Sequence, residues 1–516
     1  MSDSSNMPTM TAPSRDMSPT MMKDGGKEDQ FPLIGHQMPR DDPDNPMNWS
    51  LHRRLYTTAC AFAFTFAVGF GATAYTACIQ GVIQDFDVSM TRAVLGLSLY
   101  LFGIAFAPIT TPHLSELFGR ATVYLISLPI FSLFVLGAGL SSTFTSLAVC
   151  RFFAGFFGGP CLALIEGTFA DIWSADATVT YYSVLSLASY VGAACGPLIG
   201  GFVVPATSWR WTQWVTLMIS VAAYLLGIGQ SETYGRQILA RRARRHGQQA
   251  RLAPAQSGVT LGQMLHTTLL TPLRMIVTEP IVIGTALYLG FNFAVIFSFI
   301  SIPVVLTATY GFTLQHVGLA FIAATVGALL AAGMSITMDR LTHPHLMIRN
   351  HNGKVPIEYR LYPAMVGGFL ITASLFWIAW TADPKIPSPS PILGTLLYVW
   401  GNMSVLISGI SYLFDAYPPR GTLSALTAVA SFRLLLAAAI PLCIVQMIMG
   451  LTGAWAYSLF GFISAALIPL PWLLFRWGPK LRARSRYSPS DAVEDEGPLS
   501  KPASGLGSFV DRGSNV

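Results

Sequence analysis

Twelve long apolar segments restrict the fold of this chain more than any other feature. A membrane-spanning helix needs roughly 20 mainly apolar residues. Only 11% of the residues are charged, against about 25% in soluble proteins. The sequence therefore predicts an all-α membrane protein with twelve transmembrane helices. The segments lie near residues 56–77, 93–111, 122–140, 145–170, 180–204, 211–229, 281–303, 316–338, 362–381, 391–414, 424–449 and 453–475.

Lysine and arginine predict the orientation, because these residues concentrate in cytoplasmic loops. With a cytoplasmic N-terminus, the outer side receives only Arg92, Arg210 and Lys385, while basic residues such as those of the run 236–251 fall inside. We therefore expect both termini in the cytoplasm. The basic run also has an alternative interpretation, a lipid-headgroup or regulatory patch. The outer loops are short and leave no room for an ectodomain.

A weak internal repeat divides the chain. An offset of 244 residues aligns three pairs: Asp171 with Asp415, Pro197 with Pro441, and Trp211 with Trp455. Together with the polar central break, this pattern favours two six-helix halves that move about a midplane site. We predict a disordered cytoplasmic N-terminal segment, an N-terminal bundle, a cytoplasmic linker, a C-terminal bundle and a cytoplasmic tail. Their ranges are 1–55, 56–229, 230–280, 281–475 and 476–516.

Several function classes lack their sequence features. The polar first 30 residues do not form the apolar core of a signal peptide. The chain has no phosphate-binding loop ending in Lys-Ser/Thr and no His/Cys metal spacing, which argues against an enzyme or an ATP-driven pump. The six cysteines fall in apolar runs and are expected to be packing residues. We expect no cofactor and no nucleic-acid partner.

The loop "PHLSELFGR" (112–120) combines an acid with Gly119 and Arg120. Glu116 is placed to meet the positive N-terminal end of a neighbouring helix, although a tight basic turn would also explain the glycine and arginine. The loop resembles the G-x-x-x-D-R-x-G-R motif of the major facilitator superfamily, with Pro112 at the leading glycine. The Leu-Ser-Glu variant is similar to the fungal twelve-span drug:proton antiporter branch. The resemblance implies a cytoplasmic latch here.

Other stretches carry the same resemblance, which covers roughly residues 41–487. They include "DDPDNPMNWS" before the first segment, "RFFAGFFGGP" in the fourth, "SWRWTQWV" opening the sixth and "SETYGRQILARRARR" after it. The resemblance implies the major facilitator fold, with two pseudo-symmetric bundles, alternating access and protons as the coupling ion. It also implies a functional monomer whose partners are a small-molecule substrate, protons and the lipid bilayer.

The fifth segment contains "VGAACGPLIGG" (191–201), which matches the family's G-x-x-x-G-P-x-x-G-G motif of antiporters. Small residues let helices approach closely, and a proline bends its helix. This face would form a sealed, flexing contact between the two halves, or else ordinary helix packing that says nothing about direction. The resemblance favours export. The motif residues are Gly192, Gly196, Pro197, Gly200 and Gly201.

Two charged residues of the fourth segment are candidates for proton coupling. Arg151 would cost at least about 2.5–3.5 kcal/mol near the bilayer centre, so we expect it to face the cavity or a partner group, or else to reach the outer interface. In the family, the corresponding arginine is linked to proton transfer. Glu166 stands where related transporters usually have glycine. It is either a proton carrier or cation ligand, or a structural partner of a basic residue.

Asp171 and Asp415 end the fourth and tenth segments, where gate or capping roles are expected. Arg433, in the eleventh segment, is expected to pair near the inner end of its half. In the seventh segment, polyamine-type relatives resemble Y-G-x-x-Y-x-x-F-E-x-F-P. Here Asn292 and Ile296 replace the tyrosines and Ile300 replaces the glutamate. Because a dication in low dielectric needs compensating charge, the change argues against polyamines.

The cavity helices of the family imply a candidate substrate site with apolar, aromatic and hydroxyl side chains. This mixture suits a bulky amphipathic or aromatic compound. We therefore predict a plasma-membrane antiporter that exports a drug, toxin or secondary metabolite, with a nutrient or polyamine transporter as the alternative. The candidates are Thr65, Tyr75, Tyr288, Asn292, Ser298, Ser301, Trp400, Asn402, Ser408 and Tyr412.

Overall fold

The computed structural model describes residues 38, 42–173, 178–245, 269–297, 302–349, 356–417, 419–485 and 487. Ser298 and Ser301 of the predicted site lie outside these residues. The described chain is built from helices, of which twelve correspond to the predicted segments. They are α1 (Leu51–Phe86), α2 (Met90–Ile104 and Ala107–Phe118), α3 (Arg120–Gly139), α4 (Phe144–Ile172), α5 (Thr178–Ala206), α6 (Trp211–Gly227), α7 (Pro280–Ile296), α8 (Leu314–Thr342), α9 (Ile357–Thr381), α10 (Pro389–Ala416), α11 (Pro419–Leu451) and α12 (Gly453–Arg482).

Length and composition separate these helices into three kinds. Within the described residues, nine are long and apolar enough to cross a membrane alone. The two parts of α2 pass this test together and meet at 41°. The helix α7 follows the short helix Thr271–Thr278 at 93°, and α6 is a shorter apolar helix of 17 residues. Pro280, which cannot donate a backbone hydrogen bond, begins α7 immediately after the sharp bend.

The helices pack as two groups, α1–α6 and α7–α12. Within the first group, α1 packs on α5 and α3 on α4, while α9 packs on α10 and α7 on α11 in the second. The groups meet mainly where α5 contacts α8 and α2 contacts α11. We call the end of the bundle that carries the helix Gly235–Arg245 the linker end, and the opposite end the far end.

The ordered structure is longer than the predicted segments at three boundaries. The helix α1 begins at Leu51 and not near residue 56, and α12 continues to Arg482 past residue 475. The linker contains the helix Gly235–Arg245, which we call the linker helix. Residues 42–55 of the segment expected to be disordered are ordered, because Asp42 and Asp44 form ion pairs with Arg242 of this helix. The predicted boundaries fall short because the polar residues at these helix ends do not belong to the apolar runs from which the spans were predicted.

Candidate functional site

A cavity of about 290 Å³ lies between the two halves. The helices α1, α2, α4 and α5 line it from one half, and α7, α8, α10 and α11 from the other. Its wall is mainly apolar, with aromatic rings such as those of Phe293, Phe297 and Phe321. A concave, largely apolar space with a few polar groups is the usual form of a small-molecule site.

Contacts between the halves lie toward both ends of this cavity. At the far end, Thr91 of α2 accepts a hydrogen bond from Gln446 of α11 at 3.3 Å. Toward the linker end, the Thr427 hydroxyl of α11 donates to the backbone carbonyl of Pro108 in α2 at 3.3 Å. The two halves therefore touch on both sides of the cavity along the bundle axis.

Two side chains of opposite charge line the cavity from opposite halves. Glu166 comes from α4 and Arg433 from α11, and their charges interact across the space without forming an ion pair. The Arg433 guanidinium lies 4.5 Å from the centre of the Phe293 ring. The prediction that Arg433 pairs near the inner end is therefore wrong. It lies fourteen residues into α11, or about 21 Å along the axis, and this depth places it at the cavity.

One face of α5 supplies a stripe of hydroxyl groups that the sequence analysis missed. Tyr182, Ser186, Ser189 and Tyr190 all line the cavity. The first three are spaced i, i+4 and i+7, so they share one helix face. This spacing is visible in the sequence and could have indicated a shared hydroxyl-bearing face of α5. The Tyr190 hydroxyl also donates to the amide oxygen of Asn402 on α10, which links the two halves.

The predicted substrate residues differ from the observed lining. None of the eight that the structure describes lines the central cavity. Thr65 donates to the carbonyl of Cys161 at 3.3 Å, Tyr75 to Ala93 at 2.9 Å and Tyr288 to Ala364 at 3.2 Å. Buried polar groups need such partners. These side chains therefore join helices within a half and do not face the cavity.

Of the remaining candidates, all but Trp400 follow the same rule. The Asn292 carbonyl accepts from the Asn402 amide at 2.6 Å, and Ser408 donates to the Arg360 carbonyl. Tyr412 accepts a hydrogen bond from Arg482 at 3.4 Å. Trp400 is half-buried and its indole N–H has no hydrogen-bond partner within the described residues. Asn402 comes nearest to the expected role, because it contacts the cavity residue Tyr190.

Arg151 is buried, with 1% of its surface exposed, and it does not reach an interface. Its guanidinium donates to the backbone carbonyls of Gly71 at 2.8 Å and Gly96 at 3.2 Å. The rings of Tyr75 and Tyr100 lie 4.8 and 4.2 Å from its charge centre. Carbonyl oxygens and ring faces both stabilise a cation. Arg151 therefore ties α1, α2 and α4 together.

The glycines of the α5 motif serve two contacts on different sides of the helix. A Cβ on Gly192 would lie 2.8 Å from the Phe66 carbonyl, and one on Gly196 would lie 2.5 Å from the Ala74 nitrogen. Gly200 likewise meets the Ala77 side chain, so these three pack on α1.

Gly201, the last glycine of the motif, faces the other half. A Cβ on Gly201 would lie 2.6 Å from the carbonyl of Leu314 at the start of α8. A Cβ on Gly318 would in turn lie 3.1 Å from the carbonyl of Pro197. The two backbones therefore touch at the far end. The motif both packs α5 within its half and seals that half against the other.

The linker end of the first half carries an ion-pair cluster. Arg120 begins α3 and binds Asp171 at the end of α4. The carboxylate at the N-terminus of α3 belongs to Glu232, which accepts the Arg120 backbone N–H at 2.8 Å. The expectation that Glu116 supplies a carboxylate to a helix end differs from this geometry. Glu116 contributes its backbone carbonyl, which accepts from Gln237 of the linker helix at 3.1 Å.

The second half repeats the arrangement at its own linker end. Arg360, in the first turn of α9, donates to Asp415 at the end of α10 at 2.8 Å and to Asp339 at the end of α8 at 2.9 Å. Arg482 at the end of α12 pairs with Glu358 at 2.6 Å. Asp171 and Asp415, which the sequence offset aligns, thus hold equivalent arginine partners. The two halves share one plan.

Comparisons with known proteins match this architecture. The model of the Major Facilitator Superfamily matches residues 61–441. The citrinin biosynthesis cluster MFS transporter mrr1 of Monascus ruber is 32% identical, over 87% of this chain and 91% of that protein. Polyamine transporter 4 of Saccharomyces cerevisiae is 31% identical, over 87% and 72%. The solved proton:xylose symporter XylE superposes with a TM-score of 0.60 at 12% identity, over 83% and 96%. The expected twelve-helix fold is confirmed.

Proposed function

The chain belongs to the major facilitator superfamily, and from that membership we propose that it is a proton-coupled antiporter. It exports a small, mainly apolar organic compound, such as a toxin, secondary metabolite or drug, across the plasma membrane. Protons are the coupling ion, and the monomer is the working unit. Like its relatives, the protein is a transporter and not an enzyme.

The cavity between the halves supports this class of substrate. Its apolar wall would bind a hydrophobic or aromatic body, and the hydroxyl groups of Tyr182, Ser186 and Tyr190 would orient a few polar atoms. A polycation fits poorly, because the charge of the Glu166 carboxylate is balanced by the Arg433 guanidinium. The cavity therefore has no net negative charge to compensate a polycation. This balance favours an exporter like the citrinin-cluster relative over a polyamine transporter, although relatives of both names are similar to this chain.

The observation that carries the proposal is Glu166 facing Arg433 across the moving interface. When ionised, Glu166 attracts the guanidinium of the opposite half. Protonation removes that attraction, so the charge state of one residue biases the relative position of the two halves. In the proposed cycle, Glu166 accepts a proton from outside and releases it inward as substrate loads and the halves rock.

Two further features support the direction and the orientation. Gly201 of the α5 motif forms a tight backbone contact with α8 of the other half at the far end, which is consistent with the sealing role that the resemblance implies. The arginines of the linker end favour a cytoplasmic position for that end by the positive-inside rule. An importer would use the same fold, so the direction of coupling is what an experiment must measure.

Inverted plasma-membrane vesicles containing the protein provide the test. An acid interior imitates the outside of the cell, and antiport would then drive substrate into the vesicle. The panel holds labelled hydrophobic drugs, aromatic metabolites, organic acids and polyamines. We expect accumulation of a hydrophobic or aromatic compound that stops when the gradient is collapsed. Accumulation of polyamines alone would contradict the cavity argument. Uptake only into right-side-out vesicles with an acid exterior would identify an importer.

A further inference from the structure

A second cavity, of about 530 Å³, lies at the linker end, away from the space between the halves. Four arginines line it: Arg53 from the first turn of α1, and Arg241, Arg242 and Arg245 from the linker helix. Trp49, Gln230, Ser231, Ile238, Asp44 and Glu232 complete its wall. The proposed transport cycle uses none of these residues.

The two carboxylates of this wall already have partners. Asp44 binds the Arg242 guanidinium. One Glu232 oxygen accepts three backbone N–H groups, from Arg120 at 2.8 Å, Tyr234 at 3.1 Å and Thr233 at 3.2 Å. The other Glu232 oxygen pairs with Arg241 at 3.4 Å, so the negative charge of the two carboxylates is compensated by Arg241 and Arg242.

Other arginines of the wall keep unused donors. Arg53 donates through Nε to Ser231 at 3.2 Å and its guanidinium lies 3.8 Å from the Trp49 ring centre. Arg245 is exposed at the end of the linker helix. A guanidinium presents five donors in a fixed fork that matches a phosphate group. The cavity therefore offers a surplus of donors to an anion.

Gln230 gives the independent indication of a ligand. Only 8% of its surface is exposed, and within the described residues neither its amide nitrogen nor its amide oxygen has a hydrogen-bond partner. Leaving such a buried group unpaired is unfavourable, because its desolvation is not compensated. The nitrogen needs an acceptor, such as a phosphate oxygen, and the oxygen needs a donor, such as a hydroxyl group.

We propose that this cavity binds a phosphorylated polyol, whose phosphates meet the arginines and whose hydroxyl and phosphate groups pair with Gln230. The ligand is the headgroup of a phosphoinositide or a free inositol phosphate. Both have this chemistry, and the position beside the first turn of α1 gives a lipid headgroup access. The bound ligand would bridge the N-terminal segment, α1 and the linker helix.

Binding to the full-length purified protein tests the proposal. The probes are free inositol 1,4,5-trisphosphate, and phosphatidylcholine vesicles with or without phosphatidylinositol 4,5-bisphosphate. Saturable binding of the trisphosphate would identify a site open to soluble ligands. Binding only to the phosphoinositide vesicles would identify the lipid headgroup as the ligand. Failure of both probes to bind above the phosphatidylcholine background would overturn the proposal.

Two matched variants distinguish a built site from general attraction to basic residues. Gln230→Leu removes only unpartnered polar atoms, so it should fold with an unchanged or higher melting temperature while affinity falls by about tenfold. Arg245→Gln should weaken binding about fivefold or more. Arg244→Gln makes the same charge change one residue outside the wall and should have less than about a twofold effect. Equal losses in the two arginine variants, or full binding by Gln230→Leu, would contradict the site.

Discussion

The Arg120 guanidinium forms an ion pair with the Asp171 carboxylate, which fastens the beginning of α3 to the end of α4. Both side chains are largely buried. The second half makes the same connection between Arg360 and Asp415. The offset of 244 residues aligns the two aspartates but not the two arginines, so the repeated ion pair indicates the same latch between helices in both halves.

The first prediction tests this latch without removing a charge. In Gly167→Ala, the new Cβ would lie 1.8 Å from the Arg120 Nη1, so the guanidinium must leave Asp171. We expect a loss of about 1–3 kcal/mol, the usual cost of a lost hydrogen bond to a charged group, seen as a lower thermal unfolding midpoint. Gly450→Ala, where nothing lies within 4 Å, should have no such effect. If Gly167→Ala lowered the stability of a protein that already carries Arg120→Ala by the same amount again, the proposed mechanism would be contradicted.

The second prediction concerns Glu166. Glu166→Gln keeps the size of the side chain but cannot ionise, so its attraction to Arg433 disappears. Gradient-driven accumulation should fall by about tenfold, within the roughly 5–150-fold range of coupling between sites, while substrate binding at equilibrium stays nearly unchanged. Glu166→Asp retains a carboxylate and should recover part of the flux. Full proton-dependent transport by Glu166→Gln would remove this residue from the coupling role.

The third prediction concerns the seal at the far end. In Gly201→Ala, the new methyl group meets the backbone of Leu314 and Gly318, and backbone cannot swing aside as a side chain can. Overpacking of this kind costs about 1–3 kcal/mol, so the closed far end becomes less populated. Proteoliposomes should then lose a pH gradient faster in the absence of substrate. Gly333→Ala, which meets nothing within 4 Å, is the control. Equal leak rates would rule out the seal.

The fourth prediction concerns acid and the N-terminal segment. Hydrogen bonds from Arg242 lower the pKa of Asp42 below its ordinary value of 3.8. The ionised form is therefore favoured in the folded protein. Its stabilising contribution is complete above pH 3.8 and is lost as the pH falls through the lower folded pKa. Residues ahead of Leu51 should become susceptible to pepsin over that interval.

A variant supplies the reference for that measurement. Asp42→Asn cannot ionise, so its N-terminal segment should be cleaved readily throughout the same pH range. The ratio of variant to wild-type cleavage rates should therefore approach one as the pH falls. A ratio that stays constant across the acid range in which pepsin is active, on both sides of the Asp42 transition, would show that the Asp42 contact does not hold the segment.

The sequence predicts the helices well because a spanning helix needs a long apolar run, which any reader of the chain can find. The internal repeat is equally local, since Asp171 and Asp415 stand in similar contexts. The depth of Arg433 could also have been counted from the beginning of α11.

The lining of the cavity is harder to predict, because it depends on how each helix is rotated about its axis. The helix α7, which lines the cavity, is apolar on almost every side, so its sequence does not show which face turns inward. Asn292 and Asn402 look like ligands for a substrate but bind each other across two helices. Ser186 could have been found from its spacing with Tyr182 and Ser189, whereas the contact of Tyr190 with Asn402 depends on how α5 packs against the other half.

Each ion pair between residues that the structure describes joins two groups of the same half, or a group of the first half to its linker. In the part of the chain that the structure describes, the surface along which the halves slide therefore carries uncharged contacts, with Glu166 and Arg433 as its charged exception. The rocking of the two halves then breaks no surface salt bridge, so dissolved salt has few charge–charge interactions between the halves to screen. The conformational step should therefore run at nearly the same rate in dilute and concentrated electrolyte, so the ionic strength of the cytoplasm would have little influence on how fast the protein cycles.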